Sequence, residues 1–245
     1  MIKMNKLYRA TYISEDIVVE RNYTDGIWHD TTELVPNAVV NSQISNQAIV
    51  IGNGISRLDF NLLYIKNHTG GLYGSRALQT YGCNALYRDF NPDFLIATGN
   101  EIIKEISDSG YTENNIVYTD ADSLLRYPDK FYLIPYNSYV DAGTTAAYIA
   151  AFDGHKKVYL IGFDGHHSIN FNNNVYADTY GYQSKTSNVI DDSWIYAQSM
   201  LFSTYNDTEF VQVTQNGKVT NDSLWTHCTN FRQVSFRDFA LEVDL

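Results

Sequence analysis

Short apolar runs of strand length, each ending in glycine or a polar turn, alternate with segments of helical spacing through most of this chain. Ala48-Ile49-Val50-Ile51 runs into Gly52-Asn53-Gly54, and Phe94-Leu95-Ile96-Ala97 into Thr98-Gly99. Lys157-Val158-Tyr159-Leu160-Ile161 runs into Gly162-Phe163-Asp164. Asn115–Tyr118 and Glu209–Val213 are further strands, and Gly71–Gly74 is another candidate. Continuous apolar runs describe strands buried on both faces, as in a parallel sheet. Between them, Leu58–Ile65, Glu101–Ser107, Thr144–Phe152 and Ser193–Tyr205 have helical spacing. The alternation predicts an α/β domain: a mostly parallel sheet with helices on both faces.

Residues 1–45 read differently. Ala10–Ile13 and Ile17–Glu20 are β-rich, and Thr24-Asp25-Gly26 is a turn signal before Ile27-Trp28. This is a small N-terminal β appendage, joined by a polar linker, Asn41–Gln47, to the main domain at 46–245. The sequence leaves open whether it extends the sheet, caps the domain or serves contacts in a homo-oligomer.

The net charge of −11, with 17 scattered Lys and Arg, argues against nucleic-acid partners, whose phosphates need clustered cations. It argues equally against anionic membrane surfaces. No apolar run has spanning length, and the polar start lacks the apolar core of a signal peptide, so a cytoplasmic protein is expected. Cys83 and Cys228 are too few and too distant for a disulfide framework or a thiolate metal site; they are expected to be buried free thiols.

Ligands of open parallel sheets bind beyond the carboxyl ends of the strands. Gly52-Asn53-Gly54-Ile55-Ser56 offers close backbone approach and then a helix start, which suits phosphate. A tight turn needing positive φ is the plainer explanation. Arg57 stands where a dinucleotide fingerprint would have its third glycine, which counts against a nicotinamide oxidoreductase. Gly143-Thr144-Thr145 combines a small residue, two hydroxyls and a helix start, for a ligand or simply for capping. Asp164-Gly165-His166-His167 has the chemistry of a divalent-metal site or of a general base. Ser168–Asn188 reads as one long loop of lid type, with Tyr176, Tyr180 and Tyr182 suited to phosphate or base contacts, or to loop packing. Asp191-Asp192 reads as helix capping.

The stretch Ala142–Asp164, with its Gly-rich helix start, Ala-rich helix, short glycine turn, apolar strand and closing Gly-x-Asp, resembles two related groups. These are the bacterial sialyltransferases of glycosyltransferase family 42 and the 6-hydroxymethylpterin pyrophosphokinase-like family (domain of unknown function 115). Ile51-Gly52-Asn53-Gly54 with Ser56 resembles their first-strand motif, with Ile55 in place of its proline. Gly82-Cys83-Asn84 resembles the sialyltransferase Cys-Asn motif. The order of elements is similar over about residues 47–213.

The resemblance implies a Rossmann-like domain of the GT-A-variant kind, in which Asn53, Asn84, Ala142 and Gly143 meet a CMP-sugar. It implies that Tyr176 and Tyr182 serve the departing phosphate. That family's base is a loop histidine; here no histidine lies between His167 and His227, and His166 is the candidate on chemistry alone. The expectation is therefore a nucleotide-dependent transferase with a CMP- or UDP-linked sugar donor. Gly52, Asn53, Gly54, Ser56, Asn84, Thr98, Gly143, Thr144 and Thr145 would seat the nucleotide. The pyrophosphokinase-like group implies instead ATP, magnesium on Asp164, with Asp120 or Asp122 contributing, and a pterin-like alcohol. A third expectation is a structural or interaction protein that keeps the fold without catalysis.

Overall fold

The computed structural model describes residues 2–9, 15–25, 27–36, 45–66, 78–128, 130–134, 141–164, 173–182, 192–215, 225 and 227–245. Gly71–Gly74, His166, His167 and Asp191 lie outside them. The appendage comprises β1 (Ile2–Arg9), β2 (Glu15–Thr24) and β3 (Ile27–Pro36). They form their own antiparallel meander in the order β1-β2-β3.

The main sheet has β4 (Gln47–Ile51), β5 (Gln79–Cys83), β6 (Phe94–Ile96), β7 (Ile116–Thr119), β8 (Tyr132–Leu133), β9 (Lys157–Ile161), β10 (Glu209–Thr214) and β11 (Phe231–Ser235). The order is β11-β10-β9-β4-β5-β6-β7-β8, and every pairing is parallel. An α/β Rossmann-like fold is what the alternation predicted. β1 runs beside β8, so the meander flanks that edge without joining its ladder.

The helices are α1 (Leu62–Lys66), α2 (Asn100–Ser109), α3 (Ala121–Arg126), α4 (Ala142–Phe152), α5 (Asp192–Thr204) and α6 (Phe236–Glu242). Two apolar clusters show why both faces need covering. Along β4, Ala48 and Val50 face one cluster with α4 and α5, while Ile49 and Ile51 face the other with α1, α2 and α6. That alternation is the period of a strand, with both sides apolar. α4 is buried along nearly its whole length, and Ala146, Ala147, Ala150 and Ala151 let it lie close on the sheet.

The structure corrects some of the local expectations. Leu58–Ile65 is not one helix: a 3-10 turn, Ile55–Asp59, ends at the extended Phe60, and α1 starts anew where the Asn61 side chain accepts from the Leu63 N–H. β5 carries too many polar residues to read as a strand, yet it is fully buried; Thr80, for one, exchanges hydrogen bonds with Asp93. Gly52 and Gly54 are glycines for closeness, not for positive φ.

Candidate functional site

β4 is where the chain changes direction across the sheet. From it the strands run outward to β8, and α4 then carries the chain back to β9 on the other flank. Such a switch point leaves a crevice at the carboxyl ends of its two central strands. A cleft of about 270 Å³ lies there, near the lower end of ligand-pocket sizes, about 300 Å³. Turns after β4, β5 and β9, the start of α4, and the segment 173–182 all reach it.

The two central turns are interlocked. Gly52 N–H donates to the Ile161 carbonyl at 2.8 Å and Gly54 N–H to the Gly162 carbonyl at 3.0 Å. A Cβ on Gly52 or Gly54 would come within 2.6 Å of the Gly162 carbonyl oxygen, and Gly162 itself sits at φ +73°. Only glycine lets these backbones touch. Asp164 completes the lock: its carboxylate accepts from the Ser56 N–H at 2.9 Å and from the Ser56 hydroxyl.

Asn53 lies at the bottom of the cleft, 9% exposed. Its Nδ2 donates to the Cys83 carbonyl at 3.3 Å and to the Tyr182 hydroxyl at 3.2 Å, while its Oδ1 accepts from Arg57 at 3.2 Å. Asn84 adopts φ +49°, a conformation asparagine tolerates, and its Oδ1 accepts from the Thr98 N–H at 2.8 Å. Both carboxamides thus turn their oxygens inward and leave their NH2 groups on the side of Tyr182. Burial, then the neighbouring Cys83, pushes the Tyr182 phenol up to about 12, against hydrogen bonds from the Ala85 N–H, Asn53 and Asn84. Cys83 is likewise pushed up to about 12, by burial first and Asp141 second, with Arg57 opposing. Neither group ionises near neutral pH, so Cys83 is a buried thiol as expected and not a ready nucleophile.

Asp141 opens α4. Its carboxylate accepts from the Thr144 N–H at 2.8 Å and from the Thr144 hydroxyl, and the Thr145 hydroxyl donates to its carbonyl at 2.8 Å. Desolvation raises the Asp141 carboxyl above its ordinary range, opposed by the bonds from Thr144 and Gly143.

Of the residues singled out in the sequence, Gly52, Asn53, Gly54, Asn84, Gly143, Asp164 and Tyr182 line the cleft. Ser56, Thr98, Thr144, Thr145 and Tyr176 stand behind it, with polar groups engaged inside the protein. Tyr176 bonds to Arg57 at 2.9 Å and donates to Asp89. His166 lies outside the described residues. Arg57, noticed in the sequence only as a missing glycine, proves to be 1% exposed and the hub of these contacts. Its partners Asp89 and Tyr176 lie far along the chain, so no local signal marks it.

For magnesium, implied by the pyrophosphokinase-like resemblance, the described residues bring no cluster of ligands together. Both Asp164 oxygens are committed to Ser56, and Asp120 caps α3 through Ser123. Among the described residues no group of three or more His, Cys, Asp or Glu is placed to hold a metal.

Fold and cleft together define a class: an α/β protein with its candidate site at the switch point of an all-parallel sheet. No protein-family model, curated protein or solved structure matches the chain. Among the described residues no helix is long and apolar enough to cross a membrane.

Proposed function

We propose that the protein is a nucleotide-dependent transferase whose donor is a nucleotide sugar. The observation that carries this is the convergence of three strand-end turns and the α4 start on one cleft lined by Asn53, Asn84 and Tyr182. The Asn84 NH2 and the Tyr182 hydroxyl, whose oxygen accepts from Asn53, give donors suited to phosphate oxygens or a base carbonyl. Asp141 gives an acceptor suited to ribose or sugar hydroxyls. Positioning then supplies much of the rate, and hydrogen bonds to the departing phosphate supply the rest. Tyr182 stays protonated at neutral pH and donates to that phosphate; it does not act as the base. His166 remains the base candidate from sequence.

A second reading, a nucleotide-binding protein without catalysis, draws support from the internal commitments of Ser56, Thr144, Thr145 and Asp164. A thermal-shift series with CMP, CDP, UDP, ATP and GDP, with and without magnesium, tests binding. A ligand at a hundred times its Kd adds about 2.7 kcal/mol of stability. A pyrimidine nucleotide is expected to raise Tm without magnesium, and Asn53→Asp to abolish the shift. Turnover of the matching nucleotide sugar then separates transferase from binding protein. No shift with any nucleotide would sink both readings.

A further inference from the structure

Arg57 is a costly residue to bury, and its contacts show what the cost supports. One guanidinium nitrogen donates to the Gly52 carbonyl at 3.3 Å and to Asn53 Oδ1 at 3.2 Å. The other donates to Asp89 at 3.0 Å and to the Tyr176 hydroxyl at 2.9 Å. A guanidinium has donors only, so the Asn53 atom that faces it must be oxygen. The Cys83 carbonyl on the other side only accepts, so the atom facing it must be nitrogen. Asn53 is thereby held in one of its two flip states from both ends, with NH2 toward Tyr182 and the cleft.

We propose that Arg57 is a positioning residue that sets the hydrogen-bond polarity of the cleft floor: it holds Asn53 as a donor to the Tyr182 oxygen, so that the phenol turns its own O–H to the cleft and selects ligands offering an acceptor oxygen there. This rests on the transferase reading only for the ligand's identity. Through Tyr176 the same guanidinium ties the 173–182 wall to the β4 turn.

The test is NMR of protein carrying 15N-asparagine, with the Asn53 NH2 signals identified by their loss in Asn53→Asp. In the wild type these protons should exchange slowly with water and show NOEs to the Tyr182 ring. Arg57→Met should speed their exchange roughly tenfold, the effect of one lost hydrogen bond, and erase those NOEs. Tyr176→Phe removes only the other branch and should leave the Asn53 signals as in wild type. Arg57→Lys keeps the cation without the fork and carries the comparison if Arg57→Met does not fold. Unchanged exchange and NOEs in the Arg57 variants would overturn the proposal. So would an equal change in Tyr176→Phe, which would mean general loosening. Nucleotide binding gives a separate arm: a roughly tenfold affinity loss for Arg57→Met against little loss for Tyr176→Phe. If wild type binds no nucleotide, the transferase reading falls while the NMR result still decides the role of Arg57.

Discussion

Replacing Asp164 by Asn separates a structural clasp from a metal ligand. In the structure the carboxylate takes two hydrogen bonds from Ser56, one from its N–H at 2.9 Å and one from its hydroxyl. A hydrogen bond to a charged acceptor contributes about 1.5–3 kcal/mol, and this one is half-buried, so the lower end applies. Asn keeps a carbonyl for the Ser56 N–H, and its NH2 can donate to the serine oxygen once the hydroxyl turns. What is lost is mainly the charge assistance, about 1–2 kcal/mol. For a domain of this size that lowers Tm by roughly 2–8 °C. Urea unfolding followed by far-UV circular dichroism measures the loss, and the nucleotide series with and without magnesium runs in parallel. The expected result is reduced stability with an unaltered response to magnesium. Stability within about 0.5 kcal/mol of wild type, joined to loss of a magnesium-dependent nucleotide shift, would refute the clasp.

Three further outcomes are expected. Thr144→Val removes both the bond to Asp141 and the acceptor of Gln198, whose Oε1 already has no partner among the described residues; it should cost about 2–3 kcal/mol in urea yet leave any nucleotide shift intact. Glu242 is held near 2, below its usual 4.5, chiefly by hydrogen bonds from Arg232, with Tyr159 adding to them. A depressed carboxyl stabilises above its unfolded pKa and loses that contribution as pH falls through the folded one. Glu242→Gln should therefore cost about 1–2 kcal/mol at pH 7, discounted for partial solvation, and the gap to wild type should close as pH drops from about 4.5 toward 2. A gap constant with pH would contradict the assignment. Cys83, near 12 in the fold against about 8.5 in a free chain, should resist iodoacetamide at pH 8 until urea unfolds the protein, as read by peptide mass spectrometry. Prompt native labelling would show the thiol open to the cleft.

The sheet was legible because its central strands carry an unmistakable pattern. Ala48–Ile51 and Lys157–Ile161 have little choice but burial on both faces. Central β5 hid behind Gln79 and Thr80, and the two edge strands carry no such run. β8 has two residues, and β11, Phe-Arg-Gln-Val-Ser, spends its arginine on Glu209 and Glu242. Part of the candidate site followed from one rule, that strand-end turns and a helix start meet at a switch point, as Asn53, Asp164 and Gly143 do; Asn84 came only with the resemblance. The rest depends on which way hydroxyls and rings turn. Ser56, Thr144, Thr145 and Tyr176 had the right chemistry and chain position, but each found a nearer partner inside the protein. Periodicity carries no trace of that competition. Nor does it reveal Arg57, whose partner Tyr176 lies more than a hundred positions on.

β4 sits in the middle of the sheet but is the first of its strands to be made, and one of its two neighbours, β9, follows about a hundred residues later. During synthesis its second edge has no rightful partner for that whole interval. Non-local pairing of this kind folds slowly and leaves sticky backbone open to other chains. The chain's hazard during synthesis therefore lies at the strand that anchors its cleft.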